Sequence, residues 1–162
     1  MSAASEAVQL RRLSAYAAIL WGGAAVGVFD ITYACVASAV RAGVSPVRVF
    51  QSVASGLLGA AAFEGGLPTA ALGLALHFLI AFTWAAIYVA ASRKLRFMVE
   101  RAVPAGLLYG VVVYAFMNLV VIPLSAAPFK VSYPPFKLAV DVAGHMLLVG
   151  LPIALATRRF SK

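Results

Sequence analysis

Charged residues are scarce in this chain. Only 11% of its 162 residues are Asp, Glu, Lys or Arg, whereas 64% are hydrophobic. A soluble domain has about 25% charged and about 45–50% apolar residues, so the composition excludes an ordinary soluble domain and indicates a membrane protein. Because one membrane span uses about 20 residues, the length accommodates a single domain of about four spanning helices, without a separate soluble catalytic domain.

Cysteine and acidic residues are also few. The single cysteine, Cys35, lies in an apolar segment, which excludes an intrachain disulfide and a paired-cysteine metal motif. The sequence has no nucleotide-binding glycine loop, no nucleophile elbow and no HExxH motif, so we expect no enzymatic activity. The net charge of +8 comes from basic residues at the ends of the apolar segments. This placement predicts orientation in the membrane and no binding of nucleic acid.

Long apolar segments predict an all-α integral membrane protein with four transmembrane helices, one domain over residues 1–162. The apolar run after Arg12 is too long for a signal peptide, so we expect it to be the first span. Pro152 lies well inside the fourth span and predicts a kink there. The expected spans are about 15–40, 69–92, 104–122 and 137–157.

An additional helix is expected between the first and second spans. Ser45-Pro46 is typical of a helix N-terminus, with serine as N-cap and proline at the first helical position. The helix predicted over residues 46–63 is short and polar for a span. We therefore expect it to lie in the interface or to enter the membrane part way as a re-entrant segment.

The positive charges predict the orientation of the spans. Four spans place both termini and the connection after the second span on one side, and nine of the 13 lysines and arginines lie there. The positive-inside rule then puts both termini in the cytoplasm. The same basic ends could also bind anionic lipid head groups.

Small residues recur along two of the expected helices. Gly23, Gly27, Ala34 and Ala37 form a stripe on the first span, and Gly106 and Gly110 have GxxxG spacing on the third. Such residues allow close helix packing. They could also support homo-oligomers.

Polar residues inside the expected spans are the candidates for function. Asp141 and His145 are four residues apart and share one helix face, and the other three spans supply Asp30, His77 and Asn118. At about 1.5 Å per residue, Asp30 lies near mid-membrane and the others lie toward the side opposite the termini. Ionisable groups at this depth favour a functional role, although interhelical hydrogen bonding is the structural alternative. Lys137 and Asp141, at the membrane edge, are expected to form an i,i+4 ion pair.

Several functions could use such a cluster. A proton or small cation could be bound or conducted by Asp30, His77, Asp141 and His145, with Asn118 orienting one of the titrating groups. A metal could be held by His77 and His145 with a carboxylate, and a haem between the two histidines is geometrically conceivable. No cofactor is required by the sequence. The alternative is a non-catalytic accessory subunit or lipid-binding scaffold in a larger membrane complex.

Three stretches support a resemblance. Leu74–Phe78, Met117–Ser125 and Gly144–Ala154 resemble the small bacterial inner-membrane proteins grouped as YagU-like. The resemblance implies a multi-pass protein of the bacterial cytoplasmic membrane. A link of that group to acid tolerance would agree with a titratable cluster.

Overall fold

Four helices of the molecule are long and apolar enough to cross a membrane. The computed structural model describes residues 3–161, and within that range every regular element is helical. The first to fourth spans are Val8–Ala42, Gly66–Ser92, Ala102–Leu124 and Pro135–Phe160. The prediction of an all-α, four-span membrane protein is confirmed. The helices are α1 (Ala3–Ala42), α2 (Pro46–Leu58), α3 (Gly66–Ser92), α4 (Phe97–Glu100), α5 (Ala102–Phe116), α6 (Ile122–Leu124), α7 (Pro135–His145) and α8 (Leu151–Phe160).

The shorter helix between the first two spans is also confirmed. Ser45 caps α2 as expected, since its hydroxyl accepts a hydrogen bond from the Arg48 backbone N–H at 3.4 Å. A 3-10 turn, Gly59–Phe63, follows α2 and leads into the second span. Helix α2 packs along α3, where a side chain at Gly73 would overlap the Phe50 carbonyl. The 13 residues of α2 are too few to cross a membrane.

Glycines bring the spans into close contact. Gly23 and Gly27 of α1 lie against the rings of Phe82 and Phe78 on α3, so the small-residue stripe does form a helix interface. Gly106 and Gly110 face the backbone of the fourth span, and a side chain at Gly150 would overlap the Gly106 carbonyl. The GxxxG pair therefore serves helix packing, as its spacing predicts.

The apolar core lies toward the end of the bundle that carries the chain termini, here called the proximal end. Tyr88 and Ile153 are 0% and 1% exposed, and the Tyr88 hydroxyl donates to the Met98 carbonyl at 2.9 Å. Tyr109 packs edge-on against Tyr88 and Trp84, with ring centroids 4.8 and 6.0 Å away. Large interlocking rings thus fill the space between α3 and α5.

Two π-helical turns interrupt the third and fourth spans. They cover Met117–Val121 and Met146–Gly150, and a proline follows each at the second position of the next helix. The N–H of the residue before the proline, Ile122 or Leu151, donates to the carbonyl five residues earlier. Proline has no N–H, so the carbonyl of the next residue along the chain after that acceptor has no main-chain donor. The disturbance expected at Pro152 therefore takes the form of a wide turn ahead of it.

Candidate functional site at the distal end of the bundle

Asp141 is the centre of a polar cluster at the distal end, opposite the chain termini. Its side chain is only 13% exposed and accepts three hydrogen bonds. Oδ1 accepts from the Tyr33 hydroxyl at 3.0 Å and from Arg41 Nη1 at 3.1 Å, and Oδ2 accepts from Lys137 Nζ at 2.6 Å. We call Tyr33, Arg41, Lys137 and Asp141 the Asp141 cluster. Two cations share one carboxylate, so the cluster carries a net positive charge.

The cluster joins the end of the first span to the start of the fourth. Lys137 and Asp141 are one turn apart on α7, and the expected i,i+4 ion pair is confirmed. Tyr33 and Arg41 come from α1, and Arg41 Nη2 donates to the Tyr33 hydroxyl at 3.3 Å. Gly144 leaves room for the Tyr33 ring. A Cβ added at Gly144 would lie 3.4 Å from that ring. The Lys137–Asp141 pair of α7 is thus also bonded to α1 through Tyr33 and Arg41.

Sequence reasoning missed Tyr33 and Arg41. In the sequence, Arg41 is one of several charges at the ends of spans, and Tyr33 is one of six tyrosines. A signal was nevertheless present, because Arg41 and Lys137 are both at the distal side and Asp141 is the acid inside a span that is nearest to either in depth. An acid at a membrane edge between two cations predicts an ion-paired group.

His145 lies one turn below Asp141 in the fourth span. Its Nδ1–H donates to the Asp141 backbone carbonyl at 3.0 Å, which places the proton on Nδ1. Its ring packs edge-on against Tyr114 of α5, with centroids 5.0 Å apart and an interplanar angle of 78°. Within residues 3–161, the Tyr114 hydroxyl is the buried side-chain polar atom without a hydrogen-bond partner. His145 therefore orders the helix and contacts the third span through an aromatic ring.

The Asn118 side chain forms a hydrogen bond with the main chain at the π-helical turn of the third span. Its Nδ2 donates to the Tyr114 carbonyl at 2.9 Å, so it orients a peptide group and no titrating side chain. Its own carbonyl is the one left without a donor by Pro123, and the Tyr133 hydroxyl donates to it at 3.2 Å. The connection before α7 thus compensates for the missing N–H of a proline.

His77 belongs to the contact between the first two spans. Its Nε2–H donates to the Gly27 carbonyl at 3.0 Å, next to the Phe78 ring that packs on the same glycine. Asp30, one turn further along α1, is partly buried. Both ion pairs in the described part of the chain involve Asp141, so neither engages Asp30.

The five predicted residues therefore separate into two neighbourhoods. Asp141, His145 and Asn118 are connected through Tyr114 at the interface of the third and fourth spans. His77 is bonded to α1, on which Asp30 also lies. Over residues 3–161, no three His, Cys, Asp or Glu side chains are close enough together to hold a metal ion. The arrangement thus provides one closed ion-paired cluster and one carboxylate outside it.

Comparisons of the chain with protein-family models, curated proteins and solved structures return no match. The resemblance to YagU-like proteins stays a prediction.

Proposed function

We propose that this protein is a non-catalytic subunit or scaffold of a larger membrane complex. The observation that carries this proposal is the bonding of the intramembrane polar groups, four of which have partners within the chain. Asp141 is bound by three donors, and His77, Asn118 and His145 each donate to a backbone carbonyl. Asp141 and His77 are bonded to α1, whereas Asn118 and His145 are bonded within their own spans. The bonded groups leave no continuous set of free sites for an ion.

The Asp141 cluster argues against a cation site at the distal end. A cation approaching Asp141 would have to displace Arg41 or Lys137, both about 40% exposed, from a carboxylate that is mostly buried. The displaced cation would then remain beside the incoming one, and like charges at such distances repel. The cluster stabilises the contact between the first and fourth spans instead.

The two histidines support the same conclusion. A relay through an imidazole uses both ring nitrogens, whereas one nitrogen of each imidazole here is bound to a main-chain oxygen. These bonds fix one tautomer of each ring. The His77 bond joins two spans, and an interhelical hydrogen bond contributes about 0.6–2 kcal/mol in a membrane.

Asp30 supports assembly with a partner. An acid inside a membrane span is expensive unless it is paired or hydrated. Asp30 is partly buried, lies outside both ion pairs of the described residues, and follows Gly27 by one turn on the face of α1 that packs against α3. A donor from another membrane protein, reaching Asp30 between the spans, would complete its bonding.

A second candidate function also rests on Asp30. The same partly buried carboxylate could bind or pass a proton or small cation, alone or with His77 of the neighbouring helix. This candidate and the subunit proposal differ in whether Asp30 exchanges its charge with solution. Flux measurements separate them.

We further propose the bacterial cytoplasmic membrane as the location, with both termini in the cytoplasm. Support comes from the basic residues of the proximal end, which include Arg93, Lys94, Arg96, Arg158 and Arg159. The resemblance to YagU-like inner-membrane proteins agrees with this location. A reporter fused to each terminus tests it.

The function is tested in reconstituted vesicles. We expect proton and potassium flux through vesicles containing the protein to equal that of protein-free vesicles, and Asp30→Asn to leave it unchanged. Glu64→Gln, which removes an exposed acid between α2 and α3, is the matched control. Flux that depends on Asp30 and survives Glu64→Gln would replace the subunit proposal with the ion-binding candidate.

The positive test is the mass of the native particle. When membranes are extracted directly into polymer-bounded discs, we expect the chain to co-purify in a particle heavier than its own 16.9 kDa, with a second membrane protein at fixed ratio. Asp30→Leu should release that protein, because it removes the group that a partner would bind. A monomer in native discs would contradict the proposal.

A further inference from the structure

A wide cleft opens at the proximal end of the bundle, far from the Asp141 cluster. Its volume is about 870 Å³, and it lies between the first turns of the first span, the end of α3, helix α4 and the end of α8. Clefts of about 300–1,000 Å³ are typical of small-molecule sites. The cleft is thus large enough to hold a head group together with part of an acyl chain.

Arginines surround the mouth of this cleft. Arg12, Arg93 and Arg96 line it, and Glu100 is the acid among the lining residues. Neither ion pair found within residues 3–161 includes any of these four side chains, since both belong to Asp141. The lining therefore carries an uncompensated positive charge of about two, which favours an anionic ligand.

The floor of the cleft is apolar. Ala18 and Val89 are 3% and 6% exposed and lie beneath the arginines, while Val8 and Leu10 line the side of the cleft at 52% and 60% exposure. An inorganic anion would leave this apolar surface uncovered. A ligand with a charged head and a hydrocarbon tail matches both parts of the lining.

The position of the cleft matches the phosphate level of a bilayer. Arg93 directly follows the second span, which ends at Ser92, and Arg12 lies near the start of the first span. Guanidinium groups bind phosphate oxygens in bidentate geometry. Basic pockets between membrane helices on the cytoplasmic side are a known type of site for anionic head groups.

We propose that this cleft binds an anionic phospholipid, with its phosphate held by Arg12, Arg93 and Arg96 and one acyl chain along Ala18 and Val89. The inference goes beyond the proposed subunit function, because the site is complete within one chain. A phospholipid bound there would tie the N-terminal part of α1 to the connection between the second and third spans.

The test compares lipids on the purified full chain in non-ionic detergent. Native mass spectrometry with added dioleoyl phosphatidylglycerol should show retention of one lipid, about tenfold tighter than dioleoyl phosphatidylcholine. Arg93→Gln/Arg96→Gln should weaken phosphatidylglycerol binding about 30-fold, at about 1 kcal/mol for each arginine near the membrane surface. Arg93→Lys/Arg96→Lys should retain part of the affinity because it keeps the charge.

The matched control is Lys94→Gln/Arg158→Gln. It removes two positive charges from the same end of the molecule, from residues that do not line the cleft, and should change binding less than twofold. Equal loss in the control would overturn the proposal in favour of general surface charge, and equal retention of both lipids would overturn it outright. Displacement of the lipid by millimolar inorganic phosphate would contradict the part played by the apolar floor. All of these substituted residues are exposed, so we expect each variant to fold. Circular dichroism of each variant verifies this.

Discussion

The proximal and distal halves of the bundle are held together by different interactions. In the proximal half, Tyr88, Tyr109 and Trp84 interlock with almost no exposed surface at Tyr88. In the distal half, Asp141 is bonded to side chains from two helices, and the cations that bind it are partly exposed. Lipid tails are as apolar as leucine, so helices in a membrane associate through shape or through polar bonds. In this molecule, the packing of aromatic rings holds the helices together at the proximal end, and ion pairs hold them together at the distal end.

The largest effect is expected where two backbones touch. Gly150→Ala would place a Cβ against the Gly106 carbonyl and the Gly110 backbone, which cannot move aside as a flexible side chain can. Overpacking of this kind costs about 3 kcal/mol, and we expect thermal unfolding in detergent about 6–12 °C below that of the wild type.

Gly56→Ala is the control for that substitution. Its nearest neighbour would be the Ser125 Cβ at 3.7 Å, an ordinary contact, and alanine is the better helix former. We expect an unchanged or slightly raised midpoint. A drop as large as that of Gly150→Ala would mean that tight packing is not what distinguishes Gly150.

An intermediate effect is expected at the distal cluster. Asp141→Asn keeps the shape of the side chain but leaves Arg41 and Lys137 without their anion, and we expect a loss of about 2 kcal/mol. Thermal unfolding should show a decrease of about 4–8 °C. Glu64→Gln, at an exposed acid outside the spans, should shift the midpoint by less than a degree.

The smallest effect is expected at the π-turn of the third span. Tyr133→Phe removes the hydroxyl that donates to the Asn118 carbonyl, and a single hydrogen bond contributes about 1 kcal/mol. Hydrogen exchange should become faster around Met117–Val121, while the rest of the third span stays protected. Tyr16→Phe, at a side chain that is 68% exposed, should change neither region.

Much of the fold could be predicted from sequence because the membrane simplifies the problem. A span requires a long apolar run, and Ser45-Pro46 predicts the start of α2 through local capping alone. The spacing of Gly106 and Gly110 indicated a packing face. These features depend on residues close together in the chain, whose geometry is regular.

The site was less predictable because it depends on which spans become neighbours. The pairing of Lys137 with Asp141 was expected, since the two share one helix. Tyr33 and Arg41 are 108 and 100 residues from Asp141 along the chain, and no local pattern relates them. The depth of a residue along its span shows which residues lie at a similar height in the membrane, but not which helices face each other. Depth therefore grouped His77 with His145.

The two π-turns show that an overlooked sequence signal can be simple. Met117–Ile122 and Met146–Leu151 each precede a proline, and both segments have Leu and Val at their third and fourth positions. A proline in a span removes a backbone donor wherever it occurs. In the third span, the Tyr133 hydroxyl takes the place of that donor at the Asn118 carbonyl.

The most direct measurement is a double-mutant cycle between Arg41 and Asp141. Unfolding free energies would be compared for the wild type, Arg41→Gln, Asp141→Asn and the double variant. If Asp141 is a structural link between the first and fourth spans, the double variant loses at least about 1 kcal/mol less than the sum of the single variants. Additive losses would show that Arg41 and Asp141 act independently, and would contradict the account of the distal end as an ion-paired interhelical contact.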